Sequence, residues 1–199
     1  MKTAHEIRAL TEGRLMIDEP MANHTSLRVG GKAKLYHYPA SRKDLAILLN
    51  YCFNNGIDTF IIGFGTNLLV SDSGFNGCVI NLSDSCRELE IEGDCFTVGA
   101  GVWGSDLVRF ASEMGYAGLA SLAGIPGSLG GWMKMNAGAF RHTISEVTQS
   151  VDVIDEQGIF ATLENDEIGF AYRKSPGLTD KIVIGGRLIL TKGEKSKIT

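Results

Sequence analysis

A chain of 199 residues, 44% apolar and 21% charged, has the composition of a folded protein with one large or two small domains, which excludes disorder as its main state. Nineteen basic against 23 acidic residues give a net charge of −4, so no global basic field exists to hold a nucleic acid, and no run approaches the ~18 apolar residues of a membrane span. The outlying count is glycine, 25 residues, about 13% against a typical ~7%.

Residues 1–20 are mixed and charged, helix-like at first and then stopped by Pro20. They lack the apolar core of a secretion signal, so a cytoplasmic location is expected. Gly13 lies outside every motif and is expected to accept a side chain. Lys34-Leu35-Tyr36-His37-Tyr38-Pro39 reads as a short strand stopped by proline. Ser41 then caps a helix, with Asp44 three residues on as a shorter form of the capping box. Leu45, Leu48, Leu49 and Cys52 fall at i, i+3, i+4 and i+7, one buried stripe, and Asn54-Asn55-Gly56 ends it. Thr59-Phe60-Ile61-Ile62 is a short apolar strand, followed by Gly63-Phe64-Gly65-Thr66-Asn67 and by a further strand at Leu68-Leu69-Val70. Strand, helix, strand and glycine loop make an αβ unit.

The second half has another rhythm. Residues 77–82, 89–92 and 95–99 read as short strands. Leu107, Phe110, Ala111 and Met114 form a helical stripe that Gly115 stops. Residues 123–131, AGIPGSLGG, are a second glycine-rich turn running into a helix. Residues 147–154, 159–163 and 182–190 read as strands, and the polar tail from Lys192 reads as frayed. The expected division is a small αβ lobe over 1–80, a larger mixed α+β lobe over 81–191 and a tail over 192–199. Cys52, Cys78, Cys86 and Cys95 form no CxxC pair and have no companion histidine spacing, so free thiols are expected and no metal site.

Each glycine loop has two readings. Glycine permits positive φ and close approach of a ligand to the main chain, and consecutive N–H groups can then form a concave anion nest. Residues 63–67 fit such a nest or a tight turn between strands. They match neither a P-loop, which needs Gly-Lys-Ser/Thr, nor the dinucleotide fingerprint, which needs glycine at Leu68. Residues 123–131 fit an anion site fed by a helix N-terminus, with Ser128 donating a hydroxyl, or a packing turn where helix meets sheet. Two such loops in one short chain favour an extended diphosphate ligand.

Five segments occur in order: TSLRVGG at residues 25–31, GFGTNLLVSDSGFNG at 63–77, VGAGV at 98–102, LAGIPGSLGGWMKMNAGAF at 122–140 and GFAYRKS at 169–175. Over residues 20–190 the chain thereby resembles the UDP-N-acetylenolpyruvoylglucosamine reductase family, flavoproteins with the vanillyl-alcohol-oxidase (PCMH-type) FAD-binding fold. The resemblance implies a two-lobed α+β fold holding FAD without a covalent link between the lobes. It assigns the pyrophosphate to Gly63, Phe64, Gly65, Thr66 and Asn67. It assigns the diphosphate and flavin to Gly124, Ile125, Pro126, Gly127, Ser128, Gly130, Asn136 and Gly138.

The family's reaction is reduction of an enolpyruvyl ether on a UDP-sugar, with NADPH as hydride source, in peptidoglycan precursor synthesis. By resemblance Arg173 is the catalytic arginine, a planar guanidinium suited to a substrate carboxylate, and Tyr172 positions the substrate. The family's third domain, with its serine proton donor and late glutamate, has no matching motif here, and Ser175, Glu194 and Ser196 are not substitutes. A separate chain supplying that domain is an expected partner. Trp132, Lys134 and Phe140-Arg141-His142 also depart from the family pattern. A flavin-binding module without independent catalysis, and the FAD subunit of another oxidoreductase of this fold, are the alternatives.

Overall fold

The strand–helix–strand pattern of residues 34–62 demands a parallel crossover, and the computed structural model, which describes residues 2–193, contains one. Of the expected tail, residues 194–199 lie outside the described residues, Glu194 and Ser196 among them. The chain divides into two units, Met1–Cys86 with Ile154–Phe160, and Arg87–Val153 with the described residues of Ala161–Thr199.

In the first unit α1 (Lys2–Leu10) buries Ala4 and Ile7. The strands β1 (Arg14–Pro20), β2 (Lys32–Tyr38), β3 (Thr59–Ile62) and β4 (Phe75–Asn81) form one sheet in the order β1-β2-β4-β3. β4 runs parallel to both β2 and β3, while β1 is antiparallel to β2. The helix α2 (Arg42–Asn54) carries the chain from β2 to β3 and buries the Leu45, Leu48, Leu49 and Cys52 stripe. Ser41 Oγ accepts the Asp44 N–H at 3.1 Å, and the Asp44 carboxylate accepts the N–H groups of Ala40 and Glu12 at 2.8 and 2.9 Å. Met21, Ala33, Tyr36, Ile62 and Val79 make the core beside the sheet. The segment Ile154–Phe160 joins this unit through Asn50, whose Nδ2 donates to Gln157 O at 3.0 Å.

Two expectations fail here. Residues 68–70 form no strand: Leu68 and Val70 pack on the core while Leu69 is exposed, so their apolar character serves packing, not pairing. Gly13 is not free to take a side chain, because a Cβ there would meet Tyr38 O and the His37 ring and lie 2.8 Å from Asp44 Oδ2. The strand β1 has no signal in its sequence, since of its residues only Leu15 is buried, and Asp18 and Glu19 are poor strand formers.

In the second unit β5 (Leu89–Glu92), β6 (Cys95–Gly99), β10 (Thr148–Ile154), β11 (Phe160–Glu164) and β12 (Ile182–Ile189) form a sheet in the order β11-β10-β12-β6-β5. Two-residue pairs flank it: β7 (Tyr116–Ala117) with β13 (Thr191–Lys192), and β8 (Gly138–Ala139) with β9 (His142–Thr143). The helices are α3 (Gly104–Glu113), α4 (Leu129–Lys134) and the single turn α5 (Asn165–Ile168). On α3 Leu107 and Ala111 are buried and Phe110 meets Phe96 edge-on, but Met114 falls past the helix end and is exposed. Gly186 of β12 leaves room for Met133 of α4, whose Cε lies 2.7 Å from where a Cβ would stand, and Gly104 faces the buried Trp132 indole. The bulk of Trp132 is thus matched by a glycine. The four cysteines are free, with Cys95 half-buried and the others buried, and among the described residues no group of acids, histidines or cysteines could hold a metal.

Candidate cofactor site

The first glycine loop follows β3 directly. Gly65 has φ +61°, and the position of its missing Cβ is taken by the His24 carbonyl, so only glycine lets the loop lie this close to residues 24–25. The carbonyls of Gly63 and Gly65 turn inward, to Asn81 Nδ2 at 3.0 Å and to the Ser26 N–H at 3.1 Å. No acceptor among the described residues takes the N–H groups of Gly65, Thr66 or Asn67. That is the donor set an anion nest requires.

Beside Gly63 and Phe64 lies a cavity of about 330 Å³ lined also by Asn23, His24, Thr25, Ser26, Tyr38, Asn81 and Ser83. This is the low end of ligand pockets and suits a phosphate-and-sugar portion rather than a whole dinucleotide. Its wall is a polar, aromatic stack: His24 lies flat on Tyr36 at 4.1 Å, and His24 Nε2 is 2.9 Å from Glu19 Oε1. Burial opposes ionisation of Glu19, yet hydrogen bonds from His24 and Asn23 and the charges of His24 and Arg14 hold its carboxyl below the usual range. Burial pushes the Tyr36 phenol well above its ordinary value, so it stays neutral and hydrogen-bonding.

The second loop is built differently. Gly127 has φ +122° and Gly124 faces open space. The helix N-terminus expected to feed an anion site is largely spent, because Leu129 N–H goes to Val102 O at 3.0 Å and Gly130 N–H to Ala100 O at 2.9 Å. Gly130 is a packing glycine, its missing Cβ 2.9 Å from Ala100 Cβ. Gly138 is another, pressed against His142 and Thr143 in the β8–β9 turn. What remains for a ligand are the N–H groups of Gly127, Ser128 and Gly131, which no described acceptor takes, and the Ser128 hydroxyl, which caps nothing. Ile125 N–H is used within the turn, by Leu122 O. Pro126 has no N–H.

Tyr172 and Arg173 form the tip of a tight turn closed by two hydrogen bonds between Ala171 and Lys174, at 2.9 and 3.2 Å. Arg173 has φ +56° and its guanidinium carbon lies 5.6 Å from the centre of the exposed Tyr172 ring. Three side chains fasten this stretch to the end of α4. Buried Asn136, at φ +42°, donates Nδ2 to Ala171 O at 3.0 Å and accepts from Ser145 N–H at 3.3 Å. Ser175 is buried and donates to Met133 O at 2.7 Å. Lys134 Nζ donates to the carbonyls of Leu178, Thr179 and Lys181, and burial lowers its pKa against the opposing charge of Asp180. In the second unit the structure therefore brings Asn136 to the Tyr172–Arg173 turn.

The family model of the FAD binding domain matches residues 33–164. The chain belongs to this FAD-binding domain family. It is 40% identical over 172 residues to the UDP-N-acetylenolpyruvoylglucosamine reductase of Desulforamulus reducens, an alignment covering 86% of this chain and 57% of the relative. The crystal structure of the reductase MurB from Thermus caldophilus superposes with a TM-score of 0.80 at 32% identity, over 94% of this chain and 65% of that one. The 6-hydroxy-D-nicotine oxidase of Arthrobacter nicotinovorans, at 19% identity and a TM-score of 0.72 over 92% of this chain and 43% of its own, shares the fold. The chain spans a little over half the length of the curated relatives it matches most strongly.

The untaken N–H groups of residues 65–67 are, within the first unit, a donor set of the kind a phosphate requires, and they are backbone groups, which is why glycine marks them. His24, Tyr38, Asn81 and Ser83 of the cavity belong to no glycine motif, and nothing local in the sequence of this FAD-binding domain singles them out. Among the described residues no helix is long and apolar enough to cross a membrane.

Proposed function

We propose that this FAD-binding domain serves the NADPH-dependent reduction of UDP-N-acetylglucosamine enolpyruvate to UDP-N-acetylmuramate, a step in making peptidoglycan precursors. The observation that carries the reading is the 40% identity to a reductase of that name, together with the exposed arginine turn tied to α4. Bound flavin supplies the hydride that NADPH replenishes. One vinyl carbon of the substrate takes the hydride and the other takes a proton, so the double bond is lost. Charge developing between these events spreads toward the substrate carboxylate. The Arg173 guanidinium is suited to pair with that carboxylate through two parallel hydrogen bonds, and Tyr172 offers a flat face beside it. Gly63-Phe64-Gly65-Thr66-Asn67 would hold the pyrophosphate through the N–H groups of Gly65, Thr66 and Asn67.

A second reading is a flavin-binding module whose turnover needs a partner chain, favoured by Ser175, whose buried hydroxyl is spent on Met133 O and is not placed as an acid. The test is steady-state NADPH oxidation with the enolpyruvyl substrate at saturating FAD, using a full-length relative as reference. Arg173→Ala should lower turnover about 10²–10³-fold while leaving FAD affinity unchanged. Unchanged turnover in that variant removes the role given to Arg173. Flavin uptake without turnover until the relative's remaining portion is added as a separate chain selects the second reading.

A further inference from the structure

Asn81 ends β4, is 5% exposed, and stands in no motif. Its Nδ2 donates both to the Tyr36 hydroxyl at 2.8 Å and to the Gly63 carbonyl at 3.0 Å, while Oδ1 accepts the Ser83 N–H at 2.8 Å. Both amide hydrogens are thereby used, and one of them reaches the first glycine loop at its opening residue. Two residues on, the Gly65 carbonyl is held by the Ser26 N–H. A trans peptide unit is planar, with its C=O and the following N–H pointing opposite ways. Holding the Gly65 carbonyl therefore aims the Thr66 N–H away from Ser26, and holding the Gly63 carbonyl fixes the peptide plane from which that stretch departs. Glycine at 63 and 65 leaves both peptide planes free to rotate unless something fixes them.

We propose that Asn81 is the positioning residue of this loop: its amide anchors the Gly63 carbonyl where the loop opens, and so holds in place the segment whose Gly65, Thr66 and Asn67 N–H groups are left for the diphosphate of a dinucleotide. The Tyr36 hydroxyl and the Ser83 N–H hold the amide in that orientation, and Tyr36 is itself immobilised beneath His24. The proposal rests on FAD binding at this loop and makes Asn81 act on the diphosphate through the backbone alone.

The test compares FAD with riboflavin, which carries the same ring and no phosphate, by fluorescence titration of the unsubstituted chain, Asn81→Ala and Asn81→Asp, with thermal melting to confirm folding. FAD binding should weaken roughly tenfold to a hundredfold in both variants, and riboflavin binding should change by no more than about twofold. The Asp variant keeps the shape and the acceptor for Ser83, so it remains a fair test where Ala fails to fold. It also adds a signature: a protonated carboxyl can again donate to Gly63 O, so its FAD affinity should recover as pH falls from 8 to about 5.5, while that of the unsubstituted chain should not. Equal losses of FAD and riboflavin, or an Asp variant that binds FAD normally at pH 8, overturn the proposal alone. Failure of the unsubstituted chain to take up FAD overturns it together with the reading beneath it.

Discussion

Gly65→Ala should cost the protein its FAD, and Gly93→Ala provides the matched reference. Both glycines are left-handed, at φ +61° and +60°, so both substitutions carry the same backbone penalty, ~1–2 kcal/mol, offset by ~0.4–1 kcal/mol from a stiffer unfolded chain. They differ in what the new methyl group meets. At Gly93 nothing lies within 4 Å, whereas at Gly65 the Cβ would enter the His24 carbonyl, with Thr25 Cα at 3.0 Å. These are backbone atoms, so the loop itself must move, at a further ~1–3 kcal/mol. A loop displaced in this way loses the inward bond from Ser26 to Gly65 O and no longer aligns its N–H groups. The expected result is a urea midpoint clearly below that of Gly93→Ala and an FAD dissociation constant raised by roughly a hundredfold or more, against little change for Gly93→Ala. If the two variants bind FAD alike, the first loop is a packing turn and its N–H groups hold no phosphate.

Lys134→Met should destabilise the second unit by about 1–3 kcal/mol, read from its denaturation midpoint, because the carbonyls of Leu178, Thr179 and Lys181 lose a charged donor; an unchanged midpoint would make that lysine ornamental. Burial lowers the pKa of His37 against the opposing charge of Asp44, so the unfolded chain takes a proton there before the folded one does. Stability should accordingly be full above the ordinary histidine value of 6.5 and decline as pH falls below it, and His37→Gln should flatten the change in urea midpoint between pH 7.5 and 5.5.

Much of the fold was legible because it is local. The Ser41 cap, the α2 stripe and the crossover from β2 to β3 are written in contiguous residues and appear as read. Two of the three misreadings share a cause. Leu68 and Val70 pack on the core cluster of Met21, Ala33, Tyr36, Ile62 and Val79, Met114 lies beyond the last turn of α3, and Gly13 is small because Tyr38 and Asp44 close over it. Residues 68 and 70 and Gly13 depend on neighbours distant in sequence, which periodicity does not contain, whereas Met114 reflects where α3 ends.

The same limit governs the glycines. A run such as residues 123–131 signals close approach, but the sequence does not say what approaches. Gly130 is small because Ala100 lies against it, and Gly138 because the β8–β9 turn does, while Gly124 has nothing within 4 Å. Around this loop the side chains that departed from the family pattern have ordinary structural employment: Trp132 fills the space left by Gly104, and Lys134 gathers carbonyls beyond the Tyr172–Arg173 turn. Asn136 and Ser175 fasten the same stretch from within. A left-handed, exposed arginine at φ +56° in a two-residue turn has little to hold it by itself. The rigidity it needs to meet a carboxylate in one geometry has to come from those three anchors, since a positioned charge is worth far more than a mobile one. Of the two side chains on α4 that depart from the family pattern, Lys134 is therefore compatible with the role proposed for Arg173, because it ties down the carbonyls that follow the turn, while Trp132 only fills the space beside Gly104.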